Sequence, residues 1–318
     1  VTDVVLDGPP VESRTTRDEA LAAEIRELAA SRGAVILAHN YQRGEVQDVA
    51  DFVGDSLGLS RQASATDADI IVFAGVHFMA ETAKILAPGK TVLLPEPRAG
   101  CPMADMVTAE ALRVWKSDHP RVPVVTYVNS SAAVKAESDV CVTSANAVAV
   151  VRALGAEKIL FAPDRNLGSW VARSLPEVEV ELWDGWCPTH DEVTPSQVLA
   201  ARAEHPGALV MAHPECRPQV VDLADAVLST SQMLAFAAEN PAREFIVVTE
   251  SGLLHGLRKA APGKVFYELS PRMLCPNMKL TTLSKVRDAL ATGSGEVVVE
   301  RDVASKALAA VERMIAIG

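Results

Sequence analysis

Apolar and polar positions along the chain fall into a rhythm that returns three times. Ile36-Leu37-Ala38-His39-Asn40-Tyr41 leads to Asp51-Phe52-Val53-Gly54-Asp55-Ser56 and then to Ile70-Ile71-Val72-Phe73-Ala74. Val125-Thr126-Tyr127-Val128-Asn129 leads to Asp139-Val140-Cys141-Val142-Thr143-Ser144 and then to Ile159-Leu160-Phe161. Met211-Ala212-His213-Pro214-Glu215 leads to Asp225-Ala226-Val227-Leu228-Ser229-Thr230 and then to Ile246-Val247-Val248. His39 to Ser56, Tyr127 to Ser144 and His213 to Thr230 are each 17 residues, and the next step, to Phe73, Phe161 and Val247, is again 17. Continuous apolar runs of this length predict buried parallel strands. One α/β unit used three times follows, since the period is too long for a solenoid repeat.

The pattern predicts strands near 34–38, 52–53, 70–74 and 91–94 in the first unit. In the second they fall near 122–128, 140–142, 158–162 and 178–182, and in the third near 208–212, 226–228, 244–248 and 264–268. Helices are expected at 45–50, 56–65 and 78–86, at 131–137, 144–154 and 167–174, and at 217–223, 230–238 and 252–260. Residues 1–16 read as an irregular arm, and Thr16 reads as the cap of a helix that ends at Gly33. Helices 108–117 and 195–204, capped by Thr108 and Thr194, separate the units. A last helix, 303–316, is expected to pack back on the first unit. The fold class is α/β: three homologous αβα units with parallel sheets arranged around a pseudo-threefold axis. The domains are 1–106, joined by the C-terminal segment 283–318, then 107–192 and 193–282.

Composition narrows the function. A length of 318 residues with 49% hydrophobic and 4% aromatic content suits Ala/Val/Leu-rich layers with real cores. A net charge of −11 argues against nucleic acid or an anionic membrane as partner. No apolar run is long enough to span a bilayer, and the N-terminus, with Asp3, Asp7, Pro9 and Pro10, is no signal peptide. Five scattered cysteines fit a reducing, cytoplasmic setting better than a disulfide framework.

Ligands bind at the carboxyl ends of strands in open parallel sheets. The pairs His39/Tyr41, Tyr127/Asn129 and His213/Glu215 stand there at i and i+2, so each pair points one way. Ser56, Ser144 and Ser229-Thr230 fall at predicted helix starts, where free N–H groups hold phosphate or carboxylate. Each unit also closes with Cys-Pro: Cys101-Pro102, Cys187-Pro188 and Cys275-Pro276. Cys141 reads as core filler, and Cys216 has no counterpart in the other units. Three converging thiolates make a metal centre, either zinc with a fourth ligand or a [4Fe–4S] cluster with one iron left open.

These residues resemble the quinolinate synthase family. The likeness spans roughly residues 34 to 290. Its carriers are Ala38-His39-Asn40-Tyr41-Gln42, Asp51-Phe52-Val53-Gly54-Asp55-Ser56, Gly75-Val76-His77-Phe78-Met79-Ala80-Glu81-Thr82, Tyr127-Val128-Asn129-Ser130-Ser131, Thr143-Ser144-Ala145-Asn146-Ala147, His213-Pro214-Glu215-Cys216 and Cys275-Pro276-Asn277-Met278-Lys279. The resemblance implies an enzyme of NAD biosynthesis that condenses iminoaspartate with dihydroxyacetone phosphate to quinolinate, losing phosphate and water. It implies a [4Fe–4S] cluster on Cys101, Cys187 and Cys275. It implies a substrate cavity lined by His39, Tyr41, Ser56, Tyr127, Asn129, Ser144, His213, Glu215, Ser229 and Thr230. Within it, Glu215 is the expected general base, His39 and His213 move protons or hold anions, and Tyr41 and Tyr127 donate to a developing alkoxide. Transient contact with an L-aspartate-oxidising enzyme that supplies iminoaspartate is also expected. Two positions depart from the family pattern: Leu228 stands where Gly is usual, and Arg217 where Pro is usual. Arg217 reads either as a solvated surface group or as an extra anion contact. Two other readings share the three cysteines, a radical S-adenosylmethionine-type enzyme resembling those of diphthamide biosynthesis and a non-catalytic metal-binding protein.

Overall fold

The computed structural model describes residues 11–317. Three four-stranded sheets form, and every strand pair is parallel. The first holds β1 (Ala34–His39), β2 (Phe52–Gly54), β3 (Ile70–Ala74) and β4 (Thr91–Leu93) in the order β2-β1-β3-β4. The second holds β5 (Val124–Tyr127), β6 (Val140–Val142), β7 (Lys158–Ala162) and β8 (Glu179–Leu182) in the order β6-β5-β7-β8. The third holds β9 (Leu209–Ala212), β10 (Ala226–Val227), β11 (Glu244–Val248) and β12 (Val265–Glu268) in the order β10-β9-β11-β12.

The register repeats as faithfully as the order. Leu37 pairs with Phe52, Val125 with Val140 and Met211 with Ala226, 15 residues on each time. One side chain locks this step in every unit. The carboxylates of Asp51, Asp139 and Asp225 accept the strand N–H of Ile36, Val124 and Val210 at 2.7, 2.8 and 2.7 Å. Each aspartate N–H returns a bond to the carbonyl of the same residue, at 2.9, 3.0 and 2.9 Å. A one-residue slip would break both bonds and turn every core side chain outward.

The helices, in chain order, are α1 (Val11–Arg32), α2 (Gly44–Gln47), α3 (Ser56–Ala65), α4 (His77–Leu86), α5 (Ala109–Asp118), α6 (Ala132–Ala136), α7 (Ala147–Leu154), α8 (Arg165–Ser174), α9 (Pro188–Asp191), α10 (Pro195–Glu204), α11 (Pro218–Val221), α12 (Thr230–Glu239), α13 (Leu253–Ala260), α14 (Leu283–Thr292) and α15 (Arg301–Ala316). Strand residues alternate between two cores. In the first sheet Ile36, Ala38, Val72 and Ala74 meet Ile25 of α1 and Leu283, Val286 and Leu290 of α14. The alternate residues, Val35, Leu37, Ile71 and Phe73, share one continuous core with Val125, Ile159 and Phe161 of the second sheet and Met211, Phe245 and Val247 of the third. Among the described residues no helix is long and apolar enough to cross a membrane.

Several boundaries differ from the sequence reading. Val11–Thr16 already belong to α1, ahead of the helix start expected at Thr16, since no Gly or Pro interrupts the chain from Val11 to Arg32. Residues 1–10 of the arm expected at 1–16 lie outside the described residues, and 11–16 are helical. α7 starts at Ala147, three residues after Ser144. Asn146 Oδ1 accepts both the N–H and the hydroxyl of Thr143, at 2.8 and 3.1 Å, and this turn delays the helix. α2 and α11 are single turns. α9 and α14 were not anticipated. The Thr282 cap of α14 accepts from Lys285 N, and Gly293, at φ 73°, ends the helix. α15 reaches beyond the first unit, lying on α6 and β6 as well as α3 and α4. Asn146 Nδ2 holds its end by donating to the carbonyls of Met314 and Ile317 at 2.9 and 2.7 Å.

Candidate active site

The chain delivers each cysteine by the same route. The fourth strand of each sheet runs into a loop that returns to the carboxyl end. There the carbonyls of Ala99, Gly185 and Met273 accept N–H bonds from His77, Arg165 and Ser251 at 2.7, 2.8 and 2.8 Å. Two residues on stand Cys101, Cys187 and Cys275. Each is followed by Pro, which suits the first position of a helical turn. The cysteine carbonyls close that turn on the N–H of Asp105, Asp191 and Lys279 at 3.2, 2.8 and 3.3 Å. Each sulfur accepts backbone N–H from its own turn: Met103 and Ala104 for Cys101, His190 for Cys187, and Asn277 and Met278 for Cys275. Burial pushes all three thiols up, Cys101 to about 12.

All three cysteines line one cavity. His39, Tyr41, Ser56, Tyr127, Asn129, Ser144, His213, Glu215 and Thr230 line it too. Ser229 does not. It is buried as the N-cap of α12, in a capping box with Gln232. Thr230 beside it accepts from Asn40 Nδ2 at 2.8 Å, so its hydroxyl hydrogen can still be donated. Asn129 Oδ1 is buried and has no hydrogen-bond partner among the described residues. Such an orphaned acceptor on a cavity wall suits a ligand donor. One strand-end pair is fixed locally: Tyr41 N–H donates to His39 Nδ1 at 3.1 Å.

Glu215 is the node of the polar network. Its Oε2 lies 3.0 Å from His190 Nδ1 and 3.1 Å from His213 Nδ1. Tyr127 also hydrogen-bonds its carboxylate, and Tyr127 pairs with Ser144 as well. His213 Nε2 lies 3.2 Å from Ser144 Oγ, which completes a Ser144–His213–Glu215 chain. A second arm runs from His190 Nε2 to Thr249 Oγ1 at 2.9 Å and on to the Tyr41 hydroxyl at 2.6 Å. Burial raises the Glu215 carboxyl, but His190, His213 and the hydrogen bonds more than offset it and hold the group below the usual carboxylate range. Burial drives His39 down to about 3 and keeps its imidazole neutral.

Four participants were given no role from the sequence: His190, Thr249, Glu250 and Lys279. Lys279 pairs with Glu250 at 2.9 Å and donates to the Tyr41 carbonyl, while Glu250 Oε1 accepts the Cys275 N–H at 3.0 Å. The third unit thus grips Tyr41 at both its carbonyl and its hydroxyl. The clue to His190 and Lys279 lay in their places, three and four residues after an aligned cysteine.

Cys141 and Cys216 are fully buried away from the cavity. Arg217 is an exposed surface group on a side groove, as one of its two readings had it, and not a cavity contact. It binds Asp191 at 2.7 and 3.0 Å. Asn166 links that aspartate, at 2.9 Å, to the Glu215 carbonyl, at 3.0 Å. Leu228 packs its side chain on the shared core, so the usual Gly is replaced without closing the cavity.

Comparison with known proteins agrees with this geometry. The family described as "Quinolinate synthetase A protein" matches residues 23–316. The quinolinate synthase of Geobacter metallireducens is 55% identical over 299 residues, covering 94% of this chain and 98% of that protein. That of Thermodesulfovibrio yellowstonii is 53% identical over 292 residues, 92% and 96% of the two chains. That of Methanoregula boonei is 54% identical over 297 residues, 93% and 98%. With a family match along nearly its whole length and relatives at this identity, the chain belongs to the quinolinate synthase family.

Proposed function

We propose that this chain condenses iminoaspartate with dihydroxyacetone phosphate to quinolinate, releasing phosphate and water, with a [4Fe–4S] cluster on Cys101, Cys187 and Cys275. One observation carries the reading: three cysteines from equivalent turns share a cavity with the Ser144–His213–Glu215 chain and Tyr41. The donor set fits the cluster. Three half-buried sulfurs accept backbone N–H bonds, as cluster thiolates do, and with no fourth cysteine among the described residues of the cavity wall one iron would remain open. When bound, the cluster supplies a Lewis acid that polarises a substrate oxygen.

The protein's own groups do the rest. Ser144 Oγ is the point at which a proton is taken or returned, with His213 Nε2 as carrier and Glu215 fixing the imidazole. The low-lying Glu215 carboxyl makes it a better fixed anion than the general base expected of it, and the proton-accepting role falls to His213. Tyr41 donates to a developing oxyanion, aimed by Thr249. Asn129 Oδ1 accepts from a substrate N–H or O–H. Ser56 and Thr230, both at helix starts on the cavity wall, receive phosphate or carboxylate, and Tyr127 and His39 complete the wall. Iminoaspartate is short-lived in water, so an L-aspartate-oxidising enzyme is the expected transient partner.

The test is anaerobic turnover. Protein reconstituted with iron and sulfide should form quinolinate from dihydroxyacetone phosphate and iminoaspartate made in situ. Cluster-loaded protein that forms none would refute the assignment.

A further inference from the structure

Cys187, His190 and Glu215 bring three unlike ligand atoms to one wall of the cavity. The sulfur, ring nitrogen and carboxylate oxygen all lie within 4.8 Å of one another, the one such set of three among the described residues. His190 Nδ1 stands 3.2 Å from Cys187 Sγ and 3.0 Å from Glu215 Oε2. Around a tetrahedral zinc ion with bonds of about 2.0–2.3 Å, neighbouring ligand atoms sit roughly 3.3–3.7 Å apart. Shifts of about half an ångström along these two edges, with the sulfur-to-carboxylate edge settling to a similar length from within 4.8 Å, would therefore admit the ion.

We propose that in the cluster-free chain Cys187, His190 and Glu215 bind a single divalent cation of the zinc type, which then competes with the iron–sulfur cluster for the Cys187 sulfur. The competition rests on the cluster reading above; the binding does not.

Two further features fit a metal ligand set. A metal-bound histidine keeps its other ring nitrogen on a hydrogen-bond partner, which fixes tautomer and ring direction. His190 Nε2 has that partner in Thr249 Oγ1 at 2.9 Å. The rotating hydroxyl can accept from Nε2–H and leave the Nδ1 lone pair facing the cation. The carboxylate is held in the same way by His213 Nδ1 at 3.1 Å. One sulfur, one nitrogen and one oxygen is also a donor set for zinc or cobalt, whereas a cluster takes its irons through cysteine sulfur. Binding releases the Cys187 proton to solvent and leaves a fourth position open to the cavity.

The experiment uses full-length chain freed of cluster and titrated with Co²⁺ under anaerobic conditions. Wild type should take one equivalent and show a thiolate-to-cobalt charge-transfer band with intense tetrahedral visible bands. Cys101→Ser and Cys275→Ser should keep both features, although neither can hold the cluster. Cys187→Ser should lose the charge-transfer band. His190→Ala and His190→Gln should weaken binding by more than the roughly 10–100-fold lost with an outer partner. Wild type preloaded with one equivalent of Zn²⁺ should fail to develop the cluster chromophore on adding iron and sulfide. Loss of the band in Cys101→Ser or Cys275→Ser would overturn the proposal, because the three thiolates would then be the site. So would unchanged affinity in both His190 variants, or no cobalt binding by wild type. The cysteine variants decide the matter even if a His190 variant misfolds. A failure of the proposed function would appear separately, as cluster-loaded protein that makes no quinolinate.

Discussion

Glu215→Gln tests the centre of the network. The side chain is almost fully buried and receives three groups: His190 Nδ1 at 3.0 Å, His213 Nδ1 at 3.1 Å and the Tyr127 hydroxyl. Glutamine keeps the shape but carries one acceptor oxygen and no charge. An amide nitrogen facing His213 would force the imidazole into the tautomer that cannot take a proton from Ser144. In a Ser–His–acid arrangement that exchange costs about 10⁴ in rate, and loss of a positioned acid–base partner costs about 10²–10⁴. The expected fall in kcat is therefore about 10²–10⁴, or ~3–5 kcal/mol of barrier. Fold and cluster should survive, because the variant removes a buried charge and touches no cysteine sulfur. The assay is quinolinate formation under saturating substrates, with iron content and thermal melting measured on the same sample. A fully loaded variant that turns over within about threefold of wild type, far less than any such role costs, would show that Glu215 does not hold His213 for catalysis.

Three further outcomes are expected. Cys101→Ala, Cys187→Ala and Cys275→Ala should each abolish the brown chromophore near about 400 nm of a thiolate-bound cluster, whereas Cys141→Ala and Cys216→Ala should keep it; a colourless Cys216→Ala beside a coloured Cys187→Ala would break the assignment. Thr249→Val should lower kcat with little change in KM, and Thr249→Ser should restore it, because the hydroxyl aims Tyr41; equal loss in both would mean that Thr249 only fills space. Hydrogen bonds from Arg98 and Lys285 hold the Glu96 carboxyl below its ordinary value, so its stabilisation is present above that value and is lost as pH falls through the folded one. The acid limb of Tm against pH should therefore flatten in Glu96→Gln, and an unchanged limb would remove Glu96 from the linkage.

Strand positions were legible because buried parallel strands are written as uninterrupted apolar runs, and 70–74, 140–142, 158–162 and 244–248 match the observed spans residue for residue. The repeat was legible as spacing, yet its physical lock was not. Asp51, Asp139 and Asp225 stood at the head of each second segment, and only the structure shows that each carboxylate grips the neighbouring strand. α14 escaped notice although Thr282 holds the place of Thr108 and Thr194, since it lies beyond the last repeat and finds its partner, α1, at the other end of the chain. The start of α7 was misplaced because the Thr143–Asn146 bonds compete with the helix, a local contest that periodicity does not record. Thr249 could not be read at all. Its role exists only through Tyr41, 208 residues away, and His190, 59 residues away.

That last case explains why the chemistry sits at the junction of the sheets. Each unit contributes one cysteine and a pair of polar strand ends, and no unit holds a complete network. The acid of the Ser144–His213–Glu215 chain comes from the third unit and its hydroxyl from the second. The tyrosine of the first unit is gripped by Thr249 and Lys279 of the third. Among the described residues, none of the side chains lining the cavity is Lys or Arg. Lys279 is spent on Glu250 and a carbonyl, and buried Lys135 on the carbonyls of Ser130 and Phe78. In a chain of net charge −11, the anionic substrates of the proposed reaction would then be drawn in by hydroxyls, helix starts and the proposed cluster rather than by fixed cations. Such donors act only at hydrogen-bond distance, so recognition requires the three units to be seated before substrate is held.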